Sequence, residues 1–151
     1  MKRRGSGPES PPASYRAPLW SRLDDVDRAE AVSWALERQL CGVGGRLEVA
    51  PRDLDEAVSL VALSWDARVA ARLRRFAEVE SGATVWTRDG EGLFYVGELV
   101  GPWRYDPRRT AYEVDLAHVR PCRWSAGSVE PPPTVLASFG RGGRNFQRIH
   151  P

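Results

Sequence analysis

Lysine is almost missing from this chain: of 22 basic residues among 151, only Lys2 is lysine and the rest are arginine. A codon-composition bias toward arginine explains the skew, and the chemical consequence holds either way. Lys2 lies in a Pro-, Gly- and Ser-rich start, so the chemistry that needs a buried amine has no donor. That excludes a Schiff base, a phosphate-loop lysine and the lysine of the commonest nuclease sites. Cysteine is also scarce. Cys41 and Cys122 are too few for a disulfide scaffold, and a reducing cytoplasm is the expected setting. Long apolar runs are absent, so no membrane span is expected. Lys2-Arg3-Arg4 is not followed by the apolar stretch of an export signal, which argues against export. Charge of one sign is lacking too, because a net +2 is too small to announce a polyanion partner by itself. What remains, 42% hydrophobic and 28% charged residues, fits an ordinary folded domain and excludes collagen-like or wholly disordered chains.

Composition divides the chain into a disordered tail at 1–18, a helical unit at 19–80 and a small β-barrel at 81–151. The tail follows from Pro8, Pro11, Pro12 and Pro18 among Gly and Ser, which cannot bury enough apolar surface to offset chain entropy. Val26, Ala29, Val32, Ala35, Leu36 and Leu40 follow helical spacing and predict a helix over about 23–40, capped by Ser21 or Asp24. Gly42, Gly44 and Gly45 make the stretch from Cys41 to Pro51 a loop. Asp53 opens a second helix, and Ser64-Trp65-Asp66 caps a third running to about Val79; one bent helix is the alternative. After Gly82 the period becomes two, and Asp89-Gly90-Glu91-Gly92 predicts a hairpin turn between Val85-Trp86-Thr87 and Leu93–Val100. Leu116–Trp124 reads as a third strand that Pro121 confines to an edge or bends. A short helical turn at Thr134–Phe139 and a last strand at Asn145–Ile149 complete an α+β chain whose second half matches an SH3-like barrel.

The barrel half concentrates positive charge, with eight arginines against four carboxylates over 101–151. These arginines interleave with aromatics. Guanidinium pairs with phosphate and flat rings stack on unpaired bases, which makes Trp86, Trp103, Arg104, Tyr105, Arg120, Arg123 and Trp124 candidates for a nucleic-acid or ligand surface. Small barrels also need large aromatics to fill a thin core, so about half of these rings are expected inside. Gly101-Pro102-Trp103-Arg104-Tyr105 places Trp103 and Tyr105 on one face, as two walls of an aromatic cage or as a plug in the barrel mouth. Arg141 and Arg144 flank two glycines in a loop that suits phosphate contact or a plain turn. Arg68, Arg72 and Arg75, with Arg74 beside them, share a stripe on the third helix, either tracking phosphates or forming a solvated face.

The segments Arg75-Phe76, Val85-Trp86-Thr87-Arg88-Asp89, Gly101-Pro102-Trp103-Arg104-Tyr105-Asp106, Val119-Arg120-Pro121-Cys122-Arg123-Trp124 and Phe146-Gln147-Arg148-Ile149 resemble a family of short uncharacterised bacterial proteins. Similar Gly-x-Tyr-x-Tyr and Arg-Pro-x-x-Trp segments occur in accessory parts of modification-dependent restriction and defence proteins. The resemblance covers about residues 75–150 and implies a small barrel beside nucleic acid or defence machinery. It supplies no catalytic residue, and the chain lacks the nuclease and nucleotide-hydrolysing domains of the restriction proteins.

Other constellations point to no chemistry. Cys41, His118, Cys122 and His150 lack the paired spacing of a zinc site, so no metal or cofactor is expected. Cys41-Gly42-Val43-Gly44-Gly45-Arg46 lacks the ending of a phosphate loop. Asp24, Asp25, Asp53, Asp55 and Glu56 sit at helix starts, where the dipole accounts for them. The sequence therefore predicts a non-catalytic nucleic-acid-binding module, with a modified base among its admissible ligands. A protein-interaction adaptor gripping a peptide or partner subunit is the alternative. DNA against RNA and the oligomeric state stay open.

Overall fold

The computed structural model describes residues 12–142 and 145–150. One curled, mixed sheet of seven strands runs through the α+β fold. In chain order the elements are β1 (Ser14–Arg16), α1 (Arg28–Arg38), β2 (Leu40–Val43), α2 (Leu54–Ser64), α3 (Ala67–Glu78), β3 (Thr84–Arg88), β4 (Phe94–Leu99), β5 (Arg104–Tyr105), α4 (Arg109–Glu113), β6 (His118–Trp124), α5 (Pro133–Gly140) and β7 (Gln147–Ile149). The spatial order is β2-β6-β4-β3-β1-β7, with β5 beside β6, and every pairing is antiparallel except β1 on β3.

The helices begin where a carboxylate can take the first free amides. Asp53 accepts from Glu56 N and Asp66 from Val69 N, each at 2.8 Å, so the second helical stretch is two helices rather than one bent one. The first helix is shorter than its apolar spacing suggests. Its cap is Asp27, accepting from Ala29 N at 2.8 Å, and it ends at Gln39 in the left-handed region.

The sheet crosses the boundaries that composition draws, which corrects the picture of a self-contained SH3-like barrel after a separate helical unit. Ser14–Arg16, placed in the tail, pairs with β3 on one side and β7 on the other. Leu40–Val43, placed at the end of the first helix and in the loop after it, pairs with β6 through four residues. Each is too short for a periodic signal, and its stability comes from partners 70 or more residues away in sequence. Arg16 fixes β1 further: its guanidinium is buried and donates to Ser138 O at 2.7 Å and Gln147 Oε1 at 2.8 Å.

Pro121 does not make β6 an edge strand. Its carbonyl accepts from Val100 N at 3.0 Å, and its missing N–H faces the point where the chain leaves β4 at Gly101. A Cβ at Gly101 would come within 2.9 Å of the Pro121 ring, so glycine is required there.

Three buried clusters hold the layers together. One joins α1, β2, β6 and Phe76 of α3; a second lies under α2 and α3; the third sets Trp86 and Phe94 against Val135 and Phe139 of α5. Among the described residues no helix is long and apolar enough to cross a membrane.

Candidate functional site

The structure buries three of the barrel-half candidates, Trp86, Arg120 and Trp124. Trp86 is buried in the cluster beneath α5, and Trp124 is buried with its indole N–H donating to Leu40 O at 2.8 Å. Arg120 is the largest fully buried side chain. It donates to Gly101 O (3.0 Å), Phe76 O (2.9 Å) and Val79 O (2.6 Å), so its charge meets the C-terminal carbonyls of α3 instead of a phosphate. Arg104 and Arg123 are exposed, but each faces a carboxylate, Asp106 at 3.9 Å and Glu98 at 3.4 Å. Arg141 is exposed at the end of α5, and Arg144 lies outside the described residues.

Trp103 and Tyr105, both half-buried, do share their surroundings, and these centre on the buried His118. Both flank His118, Trp103 stacked at 6.1 Å and Tyr105 edge-on at 5.3 Å between centroids. An indole N–H can only donate, so His118 Nδ1 accepts from Trp103 at 3.3 Å. Nε2 then carries the proton and donates to Gly45 O at 2.7 Å. Burial pushes the imidazole down to about 4. A second proton would set two donors against each other.

The sign of this linkage is fixed, because the unfolded state takes up the proton near 6.5 while the folded state resists it until about 4. Stability from this group is complete above the unfolded value and is lost as pH falls between the two. The loss should reach about 3 kcal/mol on a 1.36 kcal/mol-per-unit scale. Chemical denaturation at several pH values checks it: the slope over this window should flatten in His118→Asn, and an unaltered slope would contradict the assignment.

Gly45 leads to the site. It belongs to the glycine-rich turn after β2, and that turn, the segment after β1 and the face of α3 enclose a narrow cleft. Its aromatic walls are Trp20, Trp65 and Phe146, none of them in the candidate set read from the sequence. Asp115 organises these walls from below. It is fully buried, accepts from Ser21 Oγ (2.6 Å), Gly45 N (3.1 Å) and Arg46 N (3.0 Å), and so ties three cleft segments together. Arg46 O in turn receives the Trp65 indole N–H at 3.0 Å. Burial pushes the Asp115 carboxyl up, against the pull of these hydrogen bonds and of the Arg46 guanidinium. A Cβ on Gly44 would meet Asp115 Oδ2 at 2.8 Å, so the turn needs glycine to close over the carboxylate.

Backbone strain gathers in the same place. Leu19 (φ 60°) and Asp115 (φ 52°) are non-glycine residues in the left-handed region, and both line the cleft. Such residues cost of order 1 kcal/mol each and concentrate at binding sites.

Trp20 is half-buried, belongs to none of the three core clusters and carries the Arg28 guanidinium 3.9 Å from its ring centroid. Arg22 and Arg72 stand at the cleft, with Arg68 and Arg75 close by on α3. Among the described residues none of these four has a carboxylate within ion-pair distance; Asp66, which caps α3, acts on Arg22, Arg68 and Arg72 from further away. Burial, and then repulsion from Arg22, Arg68 and Arg75, hold Arg72 below the ordinary arginine value. A bound anion would relieve that repulsion. Among the described residues no group of three or more His, Cys, Asp or Glu side chains is placed to hold a metal.

No known protein family matches the chain, and no curated protein matches it. Among solved structures, the YTH domain of the Zygosaccharomyces rouxii MRB1 protein, in complex with N6-methyladenosine RNA, is similar with a TM-score of 0.41 and 12% identity. The match covers 86% of this chain and 85% of that one. A likeness so remote leaves the function of this chain to its own geometry.

Proposed function

We propose that this protein is a non-catalytic nucleic-acid-binding module that takes one unpaired base into the cleft between Trp20, Trp65 and Phe146. The observation that carries the reading is Trp20, a large half-buried ring that the core does not use, set beside Arg22 and Arg72, which among the described residues have no carboxylate within ion-pair distance. Rings in a cleft stack on a base through its π-face, and the arginines at the rim meet its phosphates. Asp115, the one carboxylate in the wall among the described residues, already accepts three hydrogen bonds and is a support for the walls rather than an acid or base.

A modified base fits the same reading, since a ring-walled cleft also favours a methylated, polarised base over its parent. The resemblance to accessory parts of restriction proteins would set such a reader beside defence machinery.

Fluorescence anisotropy with labelled single-stranded, duplex and methylated oligonucleotides at two salt concentrations tests the reading. Single strands should bind tightest and weaken steeply as salt rises, because phosphate contacts release counterions. A peptide-gripping adaptor would bind none of them, and affinity that ignores salt would contradict the role of the arginines.

A further inference from the structure

The cleft does not end at Phe146. On the far side of that ring a groove opens between α3 and the β1–β7 edge of the sheet, lined by Tyr15, Arg72, Arg75, Asn145 and Arg148 as well as Phe146 itself. Arg72, Asn145 and Phe146 therefore belong to both spaces. The groove has its own aromatic floor. Tyr15 and Phe146 are stacked, with centroids 5.1 Å apart and planes 13° from parallel, and Phe76 meets Phe146 edge-on at 5.1 Å. Phe146 is thus held from two directions while staying only half-buried.

Arg75 and Arg148 flank this floor and are exposed; among the described residues neither has a carboxylate within ion-pair distance. The groove's own carboxylate, Glu78, sits 3.9 Å from Arg74.

We infer that this groove is a second nucleotide subsite, so that the ligand is a single strand of two or more nucleotides and not a free nucleotide. The inference rests on the base-binding reading of the cleft. The linking phosphate lies at Arg72, the cationic side chain among the three common to both spaces. The neighbouring nucleotide lies along the Tyr15–Phe146 edge, with its phosphate between Arg75 and Arg148. Free nucleotides engage the cleft alone, and an oligonucleotide engages both, which converts the second contact into an intramolecular one.

Titration calorimetry on the full chain separates the two subsites. The probes are the 5′-monophosphates of adenosine, N6-methyladenosine, cytidine and 5-methylcytidine, and single-stranded uridine pentanucleotides carrying each of these bases at the centre. The best-bound base should gain about tenfold or more in affinity when presented in the pentanucleotide, the size of one added stacking and phosphate contact. Arg148→Gln should remove much of that gain, flatten the salt dependence by about one counterion and leave monophosphate binding unchanged.

A pentanucleotide that binds no tighter than the monophosphate overturns the second subsite and leaves the cleft reading standing, provided Trp20→Ala abolishes the monophosphate signal. An Arg148→Gln variant that weakens both probes equally also overturns it, because that arginine would then serve the cleft itself. Failure of every probe to bind overturns both readings.

Discussion

Replacing Trp20 with alanine should weaken binding of a single-stranded oligonucleotide by roughly 5- to 150-fold, the range that removal of one base-stacking ring produces. The melting temperature should hardly move, since Trp20 joins none of the core clusters and surface substitutions usually stay within about 0.5 kcal/mol. Trp20→Phe, which keeps a flat ring against Arg28, should recover most of the affinity. The buried tryptophans should behave in the opposite way. Trp86→Ala and Trp124→Ala each empty a core position and should cost about 3–5 kcal/mol of stability, with unchanged affinity per folded molecule. Anisotropy and thermal unfolding on the same preparations distinguish the two patterns. Equal affinity loss in all three variants would refute the division between ligand-facing and core rings.

The second large effect is expected at Arg120, and it is one of stability. Its guanidinium satisfies three carbonyls in the interior, two of them at the end of α3. Arg120→Met keeps the bulk and leaves those acceptors without partners, at about 1–3 kcal/mol for each one that finds no other donor. Offset by the desolvation no longer needed for a buried cation, the net loss should be about 3 kcal/mol. For a chain of this size that lowers the melting temperature by roughly 10 °C. Arg120→Lys should recover only part of the loss, because one ammonium cannot reproduce the planar fork that spans Gly101 O, Phe76 O and Val79 O. Oligonucleotide affinity of the folded fraction should be unchanged. A variant that folds normally and loses binding would return Arg120 to the ligand surface.

The contrast between Trp20 and Arg120 shows which features were legible in the sequence. Asp53 and Asp66 announced their helices because capping is a local event, settled within three residues. The β3–β4 hairpin was equally readable from its alternation and turn. The Arg68, Arg72 and Arg75 stripe was visible as helical spacing, and the structure puts it beside the cleft.

The interior of β6 was not readable in this way. Residues 118–120 are buried in succession, so both faces of the strand are covered there and period two no longer separates inside from outside. An arginine among aromatics then resembles a binding surface although it is a core support. Trp20 and Trp65 were missed for a different reason. One follows a proline-rich stretch and the other reads as part of a cap, and only the long-range pairing of β1 and β2 brings them to one cleft.

The most direct measurement is a two-dimensional NMR titration of the tryptophan indole N–H groups, of which the chain has six. Four have distinct surroundings: Trp65 bonds to Arg46 O, Trp103 to His118 and Trp124 to Leu40 O, while the buried Trp34 indole has no partner among the described residues. With a single-stranded oligonucleotide, the signals of Trp20 and Trp65 should shift and saturate together, while those of Trp34, Trp86, Trp103 and Trp124 stay in place. Shifts at Trp86, Trp103 or Trp124 with Trp20 and Trp65 unmoved would contradict the account and move the ligand to the β3–β4–β6 part of the sheet.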